Sequence, residues 1–204
     1  MRRPEVIARQ SARPTGLLGR LIGFVMSHET VAANKAAVDM LELTSSDRVL
    51  EIGFGHGRTI ERMAAAPVAF IAGVDTSDEM LRMATGRCQG LIEAGRVSLA
   101  HGDSERLPFP SDSFTKVLTV HTLYFWSVPQ THLREIHRVL RPGGRFVLAF
   151  RTPDDPASRN FPATVYRFYP ADQVAHLLRG AGFVEVALTA APDGTAIARA
   201  IKPA

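Results

Sequence analysis

Three acidic residues stand where the chain turns from apolar to glycine-bearing or polar: Glu51 just before Gly53-Phe54-Gly55-His56-Gly57, Asp75 after the run Ala69 to Val74, and Asp103 after Gly102. Glycines at Gly53, Gly55 and Gly57 permit positive φ and bring no Cβ, so a ligand can lie on bare backbone and reach the amides that open a following helix. A flat, polar or anionic ligand is expected there. A dinucleotide fingerprint needs a glycine at the sixth place, which Arg58 occupies here. Glu51 would also oppose a pyrophosphate, whereas it suits a ligand that carries positive charge. Asp75 falls twenty-two residues after Gly53, at a strand tip where a carboxylate can accept from both hydroxyls of a ribose. An ordinary helix cap is the other reading of Asp75, but Thr76 already suits that task. His121 and Tyr124 open an aromatic run, His121-Thr122-Leu123-Tyr124-Phe125-Trp126, the place for an incoming second substrate.

The elements that must position these groups follow a strand-helix alternation. Arg48 to Ile52 predicts a first strand, and Arg58 to about Ala66 a helix that stops at Pro67. Ala69 to Val74 is apolar throughout, as a parallel strand covered on both faces would be. Thr76-Ser77-Asp78-Glu79 has capping-box spacing and starts a helix towards Leu91. Val97 to Ala100, Phe114 to Val120 and Arg145 to Phe150 predict three more strands. The helix between the last two begins at Pro129, presents Leu133, Ile136 and Leu140, and ends at Arg141-Pro142-Gly143-Gly144. A helix from Pro170 to Arg179 precedes a terminal hairpin, Val184 to Thr189 and Ala196 to Ile201, around Pro192-Asp193-Gly194. Upstream, Glu29 to Leu43 suits an amphipathic helix.

With these residues in order, the chain resembles the class I methyltransferases that use S-adenosylmethionine. The resemblance rests on the acidic residue before Gly-x-Gly-x-Gly, on Asp75, on Gly102-Asp103 followed by Leu107-Pro108-Phe109, and on Leu140-Arg141-Pro142-Gly143-Gly144-Arg145. It covers residues 48 to 201. It implies an α/β fold, Rossmann-like, with a seven-stranded, mostly parallel sheet, helices on both faces and an antiparallel C-terminal hairpin. The implied cofactor is S-adenosyl-L-methionine, held by Glu51, Gly53, Gly55, Gly57, Asp75, Thr76, Gly102, Asp103, Ser104 and His121. Asp103 would accept from the adenine amine, although an Asx turn is its other reading. Methyl transfer needs mainly alignment. If the acceptor must lose a proton, His121 is the candidate base and Tyr124 the candidate for orienting the acceptor. A non-catalytic S-adenosylmethionine sensor and an NAD-dependent oxidoreductase are the competing readings.

Length and composition agree with one methyltransferase domain over residues 1–204, with a basic arm and capping helices over 1–45 and a catalytic core over 46–204. The 204 residues, 46% hydrophobic and 22% charged, are those of a globular chain without a bilayer-spanning run. A single cysteine, Cys88, leaves no internal disulfide and no cysteine cluster for zinc, and fits a cytoplasmic setting. No metal is expected. Arg2, Arg3, Arg9, Arg13 and Arg20 face only Glu5 in the first 27 residues, and Gly16 to Met26 is apolar and glycine-rich. This segment reads as a lid over the pocket, as a core cover, or as a contact with an acidic membrane surface. Cys88 lacks a Pro-Cys context and no Asn-Pro-Pro-Tyr motif follows the fourth strand, so the expected partner is a small-molecule acceptor and not nucleic acid. His132 and His137 are expected on a solvated helix face.

Overall fold

A computed structural model describes residues 3–16, 19, 21–22 and 30–204. Much of the apolar run Gly16 to Met26 therefore lies outside the described residues. Among those described, seven helices and seven strands are α1 (Glu5–Ala12), α2 (Val31–Asp39), β1 (Arg48–Ile52), α3 (Arg58–Ala64), β2 (Phe70–Asp75), α4 (Asp78–Arg87), α5 (Gln89–Glu93), β3 (Val97–His101), β4 (Phe114–Val120), α6 (Pro129–Val139), β5 (Leu140–Phe150), α7 (Ala171–Gly180), β6 (Val184–Ala190) and β7 (Ala196–Ile201). Leu123–Phe125 and Pro156–Asn160 form short 3-10 turns.

The strands make one sheet in the order β3-β2-β1-β4-β5-β7-β6, parallel except where β7 runs antiparallel to β5 and β6. This is the fold expected from the sequence. Each inner strand divides its side chains between two cores. Leu50, Val74, Val117, Phe146 and Leu148 join one core with Leu133 and Ile136 of α6 and Leu178 of α7. Val49, Ile71, Leu118 and Val147 join the other with Val38 of α2 and Ile60 and Met63 of α3. That two-sided burial is why β2 reads as an unbroken apolar run. The chain leaves β1 for β2 on one side and enters β4 on the other, so a crevice opens between the C-terminal ends of β1 and β4.

Four local expectations need correction. Ser77, not Thr76, caps α4: its hydroxyl accepts from the Met80 amide at 3.2 Å. The helix expected to run to Leu91 divides at Cys88, which lies between α4 and α5. The Leu140–Gly144 run does not precede β5 but begins it, with an irregularity in the β4–β5 register between Phe114 and Lys116. His132 is not solvated: only 3% of it is exposed, and its ring stacks on Trp126 with centroids 4.7 Å apart. His137 likewise packs edge-on against Phe183.

Candidate active site

A cavity of about 790 Å³ occupies the crevice at the strand tips, towards the upper end of the range of ligand pockets, about 300–1,000 Å³. Its wall brings together Glu51, Gly53, Gly55, Asp75, Thr76, Gly102, Asp103, Ser104, His121 and Tyr124. Gly57 is the exception among the expected ligand residues. A Cβ there would meet Ala84 at 2.9 Å, so this glycine lets the loop pack against α4 and does not line the cavity.

The loop after β1 is shaped for close approach. Gly53 has φ +73°, and a Cβ on it would fall 2.4 Å from Thr122 Cγ2. The first glycine is thus the point where the β1 loop and the β4 loop touch. Gly55 also has positive φ, but a Cβ there would meet nothing within 4 Å, leaving its backbone open to the cavity. Asp75 fixes this loop: one carboxylate oxygen accepts from the Gly55 amide and the other from the Ser77 amide, both at 2.9 Å. Burial holds its carboxyl above the ordinary range, partly offset by those amides.

Glu51 sits in the buried stretch of β1, 3% exposed. Burial, reinforced by the nearby Asp75 charge, pushes its carboxyl up to about 8. Its Oε2 has no hydrogen-bond partner within the protein. A buried acceptor in that state is costly unless a ligand supplies a donor or a positive charge. Above it, Thr59 donates to Asn34 at 3.2 Å, so α2 and α3 close this end.

At the tip of β3, Asp103 does form an Asx turn, its Oδ1 accepting from the Glu105 amide at 2.9 Å. Ser104 is buried and hydrogen-bonds His132 Nδ1 at 2.7 Å. Sequence reasoning missed this histidine. Its neighbours Trp126 and Ser104 come from other elements, so only the folded chain shows that it ties the β3 loop to the β4 loop.

The other half of the cavity is aromatic. His121 follows β4 with φ +59°, an uncommon conformation for a side-chain-bearing residue, while its amide still bonds Ala149 O at 2.9 Å. The left-handed turn swings the following Leu123–Phe125 turn over the crevice. Tyr124, the candidate for orienting the acceptor, lines the cavity with its hydroxyl engaged within the protein. That oxygen accepts from the Arg151 amide and lies 2.9 Å from His121 Nδ1. Burial, with the Arg151 charge, lowers His121 to about 4, so it is neutral near pH 7. Its Nε2 has no partner within the protein.

The arm before β1 closes the cavity from above. Arg3 donates its amide to Asn160 O at 2.7 Å and lays its guanidinium 4.7 Å from the Phe161 ring centre. Ser77 donates its hydroxyl to Pro14 O at 2.6 Å, and Ala8 of α1 is fully buried. Arg3, Ser11, Ala12, Arg13 and Pro14 all form cavity wall. No group of histidine, cysteine or carboxylate side chains among the described residues could hold a metal ion. Nor, among those residues, is any helix long and apolar enough to cross a membrane.

Comparison with known proteins agrees with this geometry. Residues 50–148 match the model of a methyltransferase domain family. The chain is 27% identical over 188 residues to the uncharacterized methyltransferase YdaC of Bacillus subtilis, covering 90% of this chain and 99% of that one. It is 39% identical over 139 residues to the demethylmenaquinone methyltransferase of Tropheryma whipplei, covering 66% of this chain but only about half of the relative, 53%. The S-adenosylmethionine-dependent methyltransferase SibL shares the fold, with TM-score 0.76 and 24% identity over 97% of this chain and 62% of SibL. The chain belongs to the class I S-adenosylmethionine-dependent methyltransferases.

Proposed function

We propose that this chain transfers a methyl group from S-adenosylmethionine to a small-molecule acceptor. The observation that carries this reading is a cavity whose wall is polar at the tips of β1, β2 and β3 and aromatic beyond β4. When bound, the cofactor supplies an electrophilic methyl group with a good leaving group already attached. The protein's own tasks are then to bind, to orient and to exclude water.

Asp75 would take the ribose hydroxyls while continuing to hold the Gly55 amide. Asp103 would accept from the adenine amine with the oxygen its turn leaves over, beside Thr76, Gly102 and Ser104. Glu51 would meet the ammonium of the methionine end. His121, expected as a base, is better suited to another task. Taking up the proton of a hydroxyl with pKa near 10 onto a group near 4 is uphill by about 8 kcal/mol. With Nδ1 engaged by Tyr124, it instead offers an Nε2 donor that fixes the acceptor oxygen. Alignment of this kind, with water excluded, can lower a barrier by about 7–11 kcal/mol.

The segment before β1 serves as the lid of one catalytic domain. The demethylmenaquinone methyltransferase carries a small-molecule acceptor in its name, which supports the acceptor class. The lone buried cysteine supports a cytoplasmic place of action.

Calorimetric titration with S-adenosylmethionine, S-adenosylhomocysteine and NAD tests the cofactor, and labelled methyl donor with an acceptor panel tests the transfer. Binding of the first two without NAD is expected. Tight NAD binding alone would sink the proposal.

A further inference from the structure

Arg58 and Arg62 stand one turn apart on α3, and both form part of the cavity wall. Like charges at that spacing repel. Among the described residues neither guanidinium is ion-paired or hydrogen-bonded, because Glu61 of the same helix turns to Arg87 at 2.9 Å. The polar side chains where α2 meets α3 are engaged with one another, Asn34 donating to Thr30 and Thr59 donating to Asn34. Two unbalanced positive charges therefore stand on the cavity wall.

Glu51 belongs to the same end. Burial and the Asp75 charge push its carboxyl up to about 8, against Thr59, the neighbour of Arg58, which favours the ionised form. At pH 7 the group is largely protonated, and its buried Oε2 has no partner within the protein. Asp75 is itself held by the Gly55 and Ser77 amides. The methionine tail of S-adenosylmethionine uses this set of groups only in part: its one carboxylate balances one guanidinium, and its ammonium must first drive the proton off Glu51. A tail with two negative charges would engage both arginines, and it would accept a hydrogen bond from the protonated carboxyl. The terminal phosphate of adenosine 5′-diphosphate is such a group. It reaches about as far from the ribose as the methionine carboxylate does, and it carries a charge that a dinucleotide, esterified at that phosphate, lacks.

We propose that adenosine 5′-diphosphate binds in the donor's place and inhibits methyl transfer by competition, its adenosine at Asp75 and Asp103 and its terminal phosphate on Arg58, Arg62 and Glu51. The inference rests on the methyltransferase reading above and adds a regulatory ligand to the same site. Guanidinium forks match phosphate oxygens two at a time, which suits arginine to this task better than lysine. The proton that S-adenosylmethionine must displace from Glu51 is the one the phosphate uses. Donor and diphosphate thus select opposite charge states of one carboxyl and cannot share it.

The test is calorimetric titration of the full chain at pH 7 with adenosine, adenosine 5′-diphosphate and S-adenosylhomocysteine. The diphosphate should bind about tenfold more tightly than adenosine, and S-adenosylhomocysteine should displace it. Arg58→Gln and Arg62→Gln should each weaken the diphosphate about fivefold. Adenosine should stay within about twofold of the parent in both variants, which also reports that they fold. A diphosphate that binds no more tightly than adenosine, or that neither variant weakens, overturns the proposal and leaves the cofactor reading intact. So does a diphosphate that S-adenosylhomocysteine fails to displace. Failure of the parent to bind S-adenosylhomocysteine removes the reading beneath the proposal, and the proposal with it.

Discussion

At the tips of β1 to β3 the cavity wall is backbone, glycine and short carboxylates, whereas beyond β4 it is aromatic side chains carried on a turn, a loop and an N-terminal arm. The first half is held from within the sheet: Asp75 clamps Gly55 and Ser77 by 2.9 Å bonds, and Gly53 fits against Thr122. The second half is held by contacts between rings and by Arg3 on Phe161. Ligand chemistry written in backbone amides tolerates little change. A wall of side chains can be repacked without disturbing the sheet, so the acceptor can vary while the cofactor half stays fixed.

The largest test of that division is Asp75→Ala. It removes a charged acceptor from the ribose position and frees the Gly55 amide. With each charged hydrogen bond worth about 1.5–3 kcal/mol, S-adenosylmethionine affinity should fall about 10²-fold or more. Calorimetry checks this, and unchanged affinity would mean that the polar half holds something else.

Next in size is the pH dependence set by Glu51. Its carboxyl titrates near 8 in the folded protein, so below that pH a cationic ligand must displace a proton. Affinity for S-adenosylmethionine should rise about fivefold between pH 7 and 8 and about tenfold in all before it flattens as Glu51 becomes fully ionised. Glu51→Gln should abolish that rise. Because the native state keeps a proton that the unfolded chain loses above about 4.5, this group's contribution to ligand-free stability declines from there up to about pH 8. Glu51→Gln should therefore raise the melting temperature more at pH 9 than at pH 6.

A smaller effect is expected from Tyr124→Phe, which releases His121 Nδ1 and the Arg151 amide. Turnover should fall about fivefold through misplacement of Nε2, with S-adenosylhomocysteine affinity unaltered. An equal loss in both would show that the halves are not separable at β4. Smallest is His132→Ala. Losing the Ser104 bond and the Trp126 stack should cost about 1 kcal/mol of S-adenosylhomocysteine affinity, roughly fivefold.

The polar half was legible in the sequence because its parts are local: a glycine loop follows its own strand, and Asp75 and Asp103 end theirs. The fold was legible for a related reason, since strands covered on both faces write themselves as apolar runs. What escaped reading joins distant segments. His132 looked like a surface residue on an alternating helix, and nothing near it in sequence announces Trp126 or Ser104 as neighbours. Tyr124 looked like an acceptor-binding hydroxyl until the Arg151 amide, 27 residues later, claimed its oxygen. Gly57 shared the spacing of its two companions but, as the left-handed residue just before α3, packs against Ala84 of α4.

The arm over the cavity is fastened at two separate points, Arg3 to Asn160 and Phe161 at one end and Pro14 to Ser77 at the other. The first latch includes a backbone hydrogen bond and a cation–ring contact. Fastened so, residues 3–14 bridge the two halves of the wall, from the aromatic loop at Asn160 to the cap of α4 at Ser77.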